Sequence, residues 1–361
     1  MNMPKKINVN VIGAGVIGLT TALILQRNRY LVEILSEHWP GDLNINYSSP
    51  WAVAAWRASL YIEDERVHEY EKISWNEFWT LSENPETGLM HVQIYDFMDK
   101  KPEFGSDIWF KDFVPEFRVI SLEELPSGVE YGVFYVTSSQ LIYIQISAFM
   151  QITHFECLLI IVSLNVQKYL QWLLDQFIAS GRKRKKVHLS HINESFFNDN
   201  EIDVVVNCTE VNARTFSGLI DNTVLPLRGQ TISVWAPHIK TVHILTNQNS
   251  FIFVVPRRGG EVILGGTIEM NDYSENPDPE TAEDIIQRCV KLCPELTPED
   301  KSLQIIRHNV GRRPYRKNGI RVEVEITKNT TNKDVIIWHN YGHHSYGNVF
   351  KNTKKYAYNI Y

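Results

Sequence analysis

The chain has 361 residues, of which 43% are hydrophobic and 22% charged. That length accommodates two domains with separate cores, and the balance is that of a globular protein rather than a disordered or fibrous one. A formal net charge of −6 gives no electrostatic reason to expect nucleic acid or an anionic membrane as partner.

Residues 1–6 lead directly into a run rich in β-branched residues at 7–12, with no signal peptide before it, so a cofactor domain is expected to open the chain. The run stops at Gly13-Ala14-Gly15-Val16-Ile17-Gly18, and a helix-forming segment follows at 16–27. A second apolar run at 30–35 closes a βαβ unit of the size that dinucleotide-binding domains use. In such a turn Gly13 permits the bend, Gly15 lets the backbone approach a pyrophosphate, and Gly18 lets helix and strand pack closely. Glu37 follows the second strand, where a ribose hydroxyl would sit. The plainer alternative is a glycine turn used only for packing.

His38-Trp39-Pro40-Gly41-Asp42 comes next, then Tyr47-Ser48-Ser49-Pro50-Trp51-Ala52-Val53-Ala54-Ala55-Trp56. Ser48 and Ser49 beside tryptophan suit a loop and helix start pressed on a flat ring system; a plain helix cap with a hydrophobic staple explains them too. The glycine turn followed by HWPGD and SSPWAVAAW resembles the D-amino-acid oxidase family of flavoproteins, its fungal members in particular. The resemblance implies an α/β fold with two parts. A Rossmann-like FAD-binding domain would comprise residues 1–60, 164–220 and 305–361, and a β-rich (α+β) substrate domain 61–139 and 221–304. FAD is the implied cofactor, with a D-amino acid and O2 as small-molecule partners. No nucleic-acid or membrane partner is expected, and a homodimer is left open.

The aromatic and acidic stretch 63–117 contains a helical segment at 66–81, and 131–137 reads as a strand. The apolar run at 140–162 invites a transmembrane reading, but Gln145, Gln151, His154 and Glu156 interrupt it. In the resembling family the flanking segments nearly adjoin, so 140–163 reads as an insertion from a gene-model error, with an extra buried helix as the alternative. An amphipathic helix is expected at 164–180, ended by Gly181. The basic run Arg182-Lys183-Arg184-Lys185-Lys186 reads as a solvated loop rather than a nuclear-localisation signal, and 187–192 as a further strand. Residues 202–209 read as a buried parallel strand whose end faces the glycine turn. The family ends this strand with a motif like NCTGLGAR; here Glu210 and Asn212 replace its two glycines. If either position needs positive φ, glutamate is the costlier replacement.

Pro226-Leu227-Arg228-Gly229-Gln230 opens a β-rich stretch with strands at 231–234, 251–255 and 261–265, then a helix at 281–292. Gly265-Gly266-Thr267 and Asn276-Pro277-Asp278-Pro279 match the family. Gly311-Arg312-Arg313-Pro314 resembles its VGxRP motif, whose arginine holds the substrate carboxylate, and this places Arg313 there. A planar guanidinium can offer two parallel N–H bonds to a carboxylate, which lysine cannot. The residues alone also allow a solvated basic strand edge formed by Arg307, Arg312, Arg313 and Arg316. A terminal strand at 335–338 runs into His339-Asn340-Tyr341-Gly342-His343-His344-Ser345-Tyr346-Gly347, resembling the HNYGxSGxG segment that returns to the flavin ring.

The resemblance implies a substrate site of Arg313, Phe253 and Ser345. At the cofactor it implies the six turn residues 13–18, Glu37, His38, Ser48, Ser49, Val53, Ala55, Val187, Thr209, Arg313, Ser345, Tyr346, Gly347 and Asn348. No metal is expected, because His343 and His344 are adjacent and lack partners at ligand spacing. The four cysteines show no CxxC spacing and read as reduced intracellular thiols.

The implied reaction moves a hydride from the substrate α-carbon to the flavin; oxygen then reoxidises the flavin to give peroxide, and the imino acid hydrolyses to an oxo acid and ammonia. Several residues depart from the family. Phe253 and Ile268 stand where tyrosines are usual, His344 replaces a small residue, Val349 a polar one, and Lys354-Lys355-Tyr356 breaks a small-residue helix. Each missing phenol removes a hydrogen bond of about 0.5–1.5 kcal/mol. A weakened or inactive flavoprotein-like paralogue is therefore the alternative, and a nicotinamide-dependent dehydrogenase a third reading. The resemblance implies a peroxisomal location, cytoplasmic otherwise; the ending Asn359-Ile360-Tyr361 is not a Ser-Lys-Leu type of address.

Overall fold

Clustered β-branched residues and helix-period stripes settle into nineteen named elements in the computed structural model, which describes residues 6–53, 65–100, 108–139, 165–247, 251–297 and 302–343. The expected insertion at 140–163 and the site candidates Ala55, Ser345, Tyr346, Gly347 and Asn348 lie outside these residues, as do His344, Val349 and residues 354–356. In chain order the elements begin with β1 (Asn8–Ile12), α1 (Val16–Arg27), β2 (Leu31–Ser36), α2 (Glu65–Ser82), β3 (Met90–Met98), β4 (Arg118–Val119) and β5 (Tyr131–Ser139). There follow α3 (Val166–Ala179), β6 (Lys183–Lys186), β7 (Ile202–Asn207), β8 (Val224–Trp235), β9 (Thr241–Thr246), β10 (Phe251–Pro256) and β11 (Glu261–Gly265). The chain continues through β12 (Glu269–Met270), α4 (Pro279–Leu292), β13 (Gln304–Arg316), β14 (Arg321–Lys328) and β15 (Asp334–Tyr341).

Two sheets result. The first has strand order β14-β15-β7-β1-β2-β6 and is parallel except at β14, whose hairpin with β15 is antiparallel. The apolar run of β7 is buried, and β1, although it alternates asparagine and valine, is buried from Val9 to Ile12, as expected of parallel strands covered on both faces. The second sheet is larger and mixed, in the order β12-β8-β11-β10-β9-β3-β5-β4, with β13 laid along β8. β13 pairs with β8 from Gln304 to Arg316, so this strand belongs to the second sheet, whereas the division read from the sequence put everything from residue 305 with the first.

α3 shows how local sequence serves packing. The Asn165 side chain accepts from Lys168 N at 3.0 Å and caps the helix. Val166, Tyr169, Leu170, Leu173, Leu174 and Phe177 then fall on one face and are buried with α1. Gly181 ends it with φ +75°. α4 uses the same devices, with Asp278 accepting from Thr281 N at 2.7 Å and Pro279 in its first turn.

The basic run departs from expectation. Lys183–Lys186 is not a loop but the edge strand β6, parallel to β2 with Lys183 opposite Glu33. Every side chain in it is exposed, Arg184 lies over the Trp39 ring at 5.5 Å, and Lys186 reaches Asp42 at 3.2 Å. Lysine-rich composition suits an edge, because charge discourages pairing with another chain. The strand expected at 187–192 does not form; pairing runs one residue further, through Val187 N to Ser36 O, and a 3-10 turn follows at Ile192–Ser195. Among the described residues no helix is long and apolar enough to cross a membrane.

Leu170 is fully buried in the contact of α1 with α3. Leu170→Ala is expected to destabilise the fold by about 2–5 kcal/mol, whereas Ile326→Ala, at a side chain 70% exposed, should change it by less than about 0.5 kcal/mol. Urea unfolding of both variants measures the difference.

Candidate active site

The glycine turn occupies the carboxyl end of β1. Gly13 has φ +106°, and a Cβ there would lie 2.6 Å from the Cys208 carbonyl oxygen. A Cβ on Gly18 would collide with the Gly13 carbonyl. Both positions therefore need glycine, for the turn and for the close approach of helix to strand. Gly15 caps α1, whose first turn carries no acidic side chain, so the positive end of the helix dipole meets no carboxylate of its own first turn.

Neighbouring loops are tied to this turn. Ala14 N donates to Ser36 Oγ at 3.1 Å, and the buried Tyr47 hydroxyl donates to Ala14 O at 2.7 Å. Burial pushes the Tyr47 phenol well above its ordinary value, so it remains a donor. Ser49 Oγ accepts from Val16 N at 3.1 Å. Ser48 Oγ is shielded from solvent and has no hydrogen-bond partner among the described residues. Val53 packs at the margin of the main core, and His38 stacks on Tyr47 with ring centroids 6.1 Å apart.

At the end of β2, Glu37 Oε2 lies 2.8 Å from His188 Nδ1. Thr209 follows β7 and bonds Asn207 Oδ1 through both its N–H, at 3.1 Å, and its hydroxyl, at 2.7 Å. Glu37, Val187 and Thr209 thus all sit at or just beyond the carboxyl ends of the first sheet's strands, the edge where open α/β sheets bind ligands.

The second sheet approaches through β13. A Cβ on Gly311 would lie 2.5 Å from Trp51 Cβ, so the Ser49–Trp51 turn packs directly on this strand. Arg307 lies over the same indole, 5.9 Å from the ring centroid, and the buried Arg257 donates to Ala52 O at 3.2 Å. Arg313, two residues beyond Gly311 and so on the same strand face, is half-buried and crosses β8 at Gly229, where any side chain would collide with its guanidinium. Its Nη1 donates to Arg228 O at 3.4 Å and Thr267 O at 3.3 Å. The solvated-edge alternative fails for its neighbours also. Arg312 is buried and bonds Asn46 Oδ1 at 3.0 Å and the Tyr273 carbonyl, and Arg316 bonds Asp221 at 2.8 Å.

Phe253 is buried. It pairs with Gly265 on β11 and its ring covers Gly265 and Gly266, immediately before the Thr267 carbonyl that accepts from Arg313. Sequence reasoning passed over Asn46 and Arg257 and quoted Tyr47 without a role, since nothing in their local spacing marks them. It did quote Gly229 and Gly311, but without their reason, which is room for a guanidinium and an indole. Among the described residues no group of three or more His, Cys, Asp or Glu could hold a metal ion.

The fold is α/β, a mostly parallel sheet joined at this junction to a larger mixed one. A family model described as FAD dependent oxidoreductase matches residues 162–350. D-amino-acid oxidase of Schizosaccharomyces pombe is 31% identical, covering 94% of this chain and 91% of its own length. D-amino-acid oxidase of Fusarium vanettenii is also 31% identical, over 93% and 91%. Among solved structures, glycine oxidase from Bacillus cereus superposes with a TM-score of 0.67 at 15% identity, covering 98% of this chain and 94% of that one. The chain belongs to the D-amino-acid oxidase family of FAD-dependent oxidoreductases.

The residues present fit that cofactor. Two glycines leave no room for side chains at a turn that opens a helix, and the Ser48 hydroxyl beside it lacks a protein partner among the described residues.

The Glu37–His188 pair gives a pH-dependent signature. The hydrogen bond between them lowers Glu37 and raises His188 from its ordinary value. A raised histidine contributes stability present below about 6.5 and lost as pH rises through its folded value; the lowered carboxylate contributes above its ordinary value and loses this as pH falls. NMR titration should place His188 above about 6.5, and Glu37→Gln should bring the midpoint back towards it.

Proposed function

We propose that this chain catalyses the oxidative deamination of D-amino acids, with the substrate carboxylate on Arg313 and FAD held along the carboxyl edge of the first sheet. One observation carries the reading. The Ser49–Trp51 turn touches the glycine turn through Ser49 Oγ, at 3.1 Å from Val16 N, and touches the arginine strand through Trp51, against Gly311. Cofactor cradle and guanidinium thus flank one short segment.

In this reading the turn residues Gly13, Ala14, Gly15, Val16, Ile17 and Gly18 receive the pyrophosphate, and Glu37 the ribose. His38, Ser48, Ser49, Val53, Val187 and Thr209 line the cofactor, joined by Ala55, Ser345, Tyr346, Gly347 and Asn348 on the strength of the resemblance. Bound FAD supplies the electron acceptor for the amino acid and passes electrons on to O2. The protein's part is alignment. Arg313, oriented by two carbonyls, fixes the carboxylate and so the direction of the α-hydrogen. Phe253 walls the site with an apolar ring and excludes water, but it gives the carboxylate no hydrogen bond.

Glu210 at φ +51° and the absent phenol at Phe253 favour a second reading, a flavoprotein that binds FAD and turns over slowly or not at all. Anaerobic addition of D-alanine or D-proline to the purified holoprotein separates the two: bleaching of the flavin absorbance supports the oxidase, and bands unchanged by every D-amino acid support the inactive form. In an active enzyme Arg313→Ala should lower kcat/KM at least about thirtyfold, matching the roughly 2–5 kcal/mol cost of stripping one partner from a buried charge pair. Arg313→Lys should restore little, and retained kcat/KM in either variant would remove Arg313 from the site.

A further inference from the structure

Glu210 stands where the resembling family motif has its first glycine, and its backbone is left-handed with φ +51°, a conformation that side chains disfavour. The carboxylate makes contacts that glycine cannot. Oε2 accepts from Gly342 N at 3.0 Å and His343 N at 3.2 Å, and Oε1 lies 2.8 Å from His343 Nδ1. His343 is buried, and its Nε2 is shielded from solvent and without a partner among the described residues.

These bonds join the ends of two neighbouring parallel strands, β7 and β15, on the ligand-binding edge of the sheet. Cys208, two residues before Glu210, presents its carbonyl to Gly13 in the phosphate turn. Tyr341 is secured separately, its hydroxyl accepting from Arg321 at 2.8 Å and donating to Asp221 at 3.0 Å. The next residue, Gly342, turns with φ +79°, so the course of the chain leaving β15 is set by what holds its next two N–H groups. That holder is Glu210.

We propose that Glu210 is a positioning residue for FAD: it ties Gly342 and His343 to the end of β7 and thereby sets how tightly the protein retains its cofactor. The proposal rests on the cofactor assignment and is independent of turnover. Glycine at 210 removes both the strain and the tether, while glutamine keeps an oxygen for the two N–H groups, and its amide N–H can donate to His343 Nδ1 in the tautomer that carries the ring proton on Nε2.

The test is FAD titration of the full-length apoprotein, followed by flavin fluorescence quenching, beside thermal unfolding of the same apoprotein. Glu210→Gly should raise the FAD dissociation constant at least about tenfold while shifting the apoprotein melting temperature by less than about 3 °C. Glu210→Gln should return the constant to within about threefold of the unmodified protein. An unchanged constant in Glu210→Gly, or a loss of affinity matched by a large fall in melting temperature and not restored by Glu210→Gln, would overturn the proposal. Failure of the unmodified protein to bind FAD would overturn the cofactor assignment with it, whereas tight FAD binding without D-amino-acid turnover would touch only the oxidase reading.

Discussion

The Ser49–Trp51 turn is the contact on which the rest of the site depends. Its serine hydroxyl accepts from Val16 N at the start of α1, and its tryptophan fills the space that Gly311 leaves on β13. Each contact is short range, and neither sheet could shift by an ångström without breaking one of them. Pro50 between the two residues restricts the backbone, so the distance from glycine turn to β13 is set by a stiff three-residue spacer. Arg257 on the Ala52 carbonyl and Arg307 over the indole hold the far side. Asn46 extends the joint, accepting from Arg312 and, through its carbonyl, from Asn212.

Much of the fold was legible because its signals are local. The βαβ unit declares itself through β-branched runs and glycines, and α3 through an asparagine cap, a helical stripe and Gly181. Failures came where long-range pairing decides the outcome. Five consecutive cations read as solvated loop, and their side chains are indeed exposed, yet β2 offered an open parallel edge with Glu33 opposite Lys183, and four of them became strand. Similarly β13 lies along β8, about eighty residues earlier in the chain, a partnership that neither periodicity nor composition announces.

The site was legible in a different way. Glycine spacing gave the strand–turn–helix at 13–18 from physics alone, because close packing there leaves no room for side chains at Gly13 and Gly18. Arg313 could not be separated from its basic neighbours without the family resemblance. The structure shows why the neighbours differ: Arg228 meets Glu269 and Asp272, and Arg312 meets Glu275, whereas Arg313 lies across Gly229 with its Nη1 on two carbonyls. Tyr47 and Asn46 left no such mark, since their roles consist of single hydrogen bonds to backbone or side chains distant in sequence.

The replacements at the carboxyl edge are best understood together. Loss of a glycine at 210 would by itself be a defect, a side chain forced into the left-handed region. It persists with a carboxylate bonded to two backbone N–H groups and a buried imidazole, charge-assisted bonds stronger than neutral ones. Beside it, burial works against ionisation of Asp221, yet Thr223, Arg316 and Tyr341 hold that carboxyl below its ordinary range, which keeps Tyr341 anchored at the end of β15. The residues at and just after the end of β15, Tyr341 to His343, are thus held by two acidic side chains, Asp221 and Glu210. Three coordinated contacts around one left-handed residue thus offset its backbone cost.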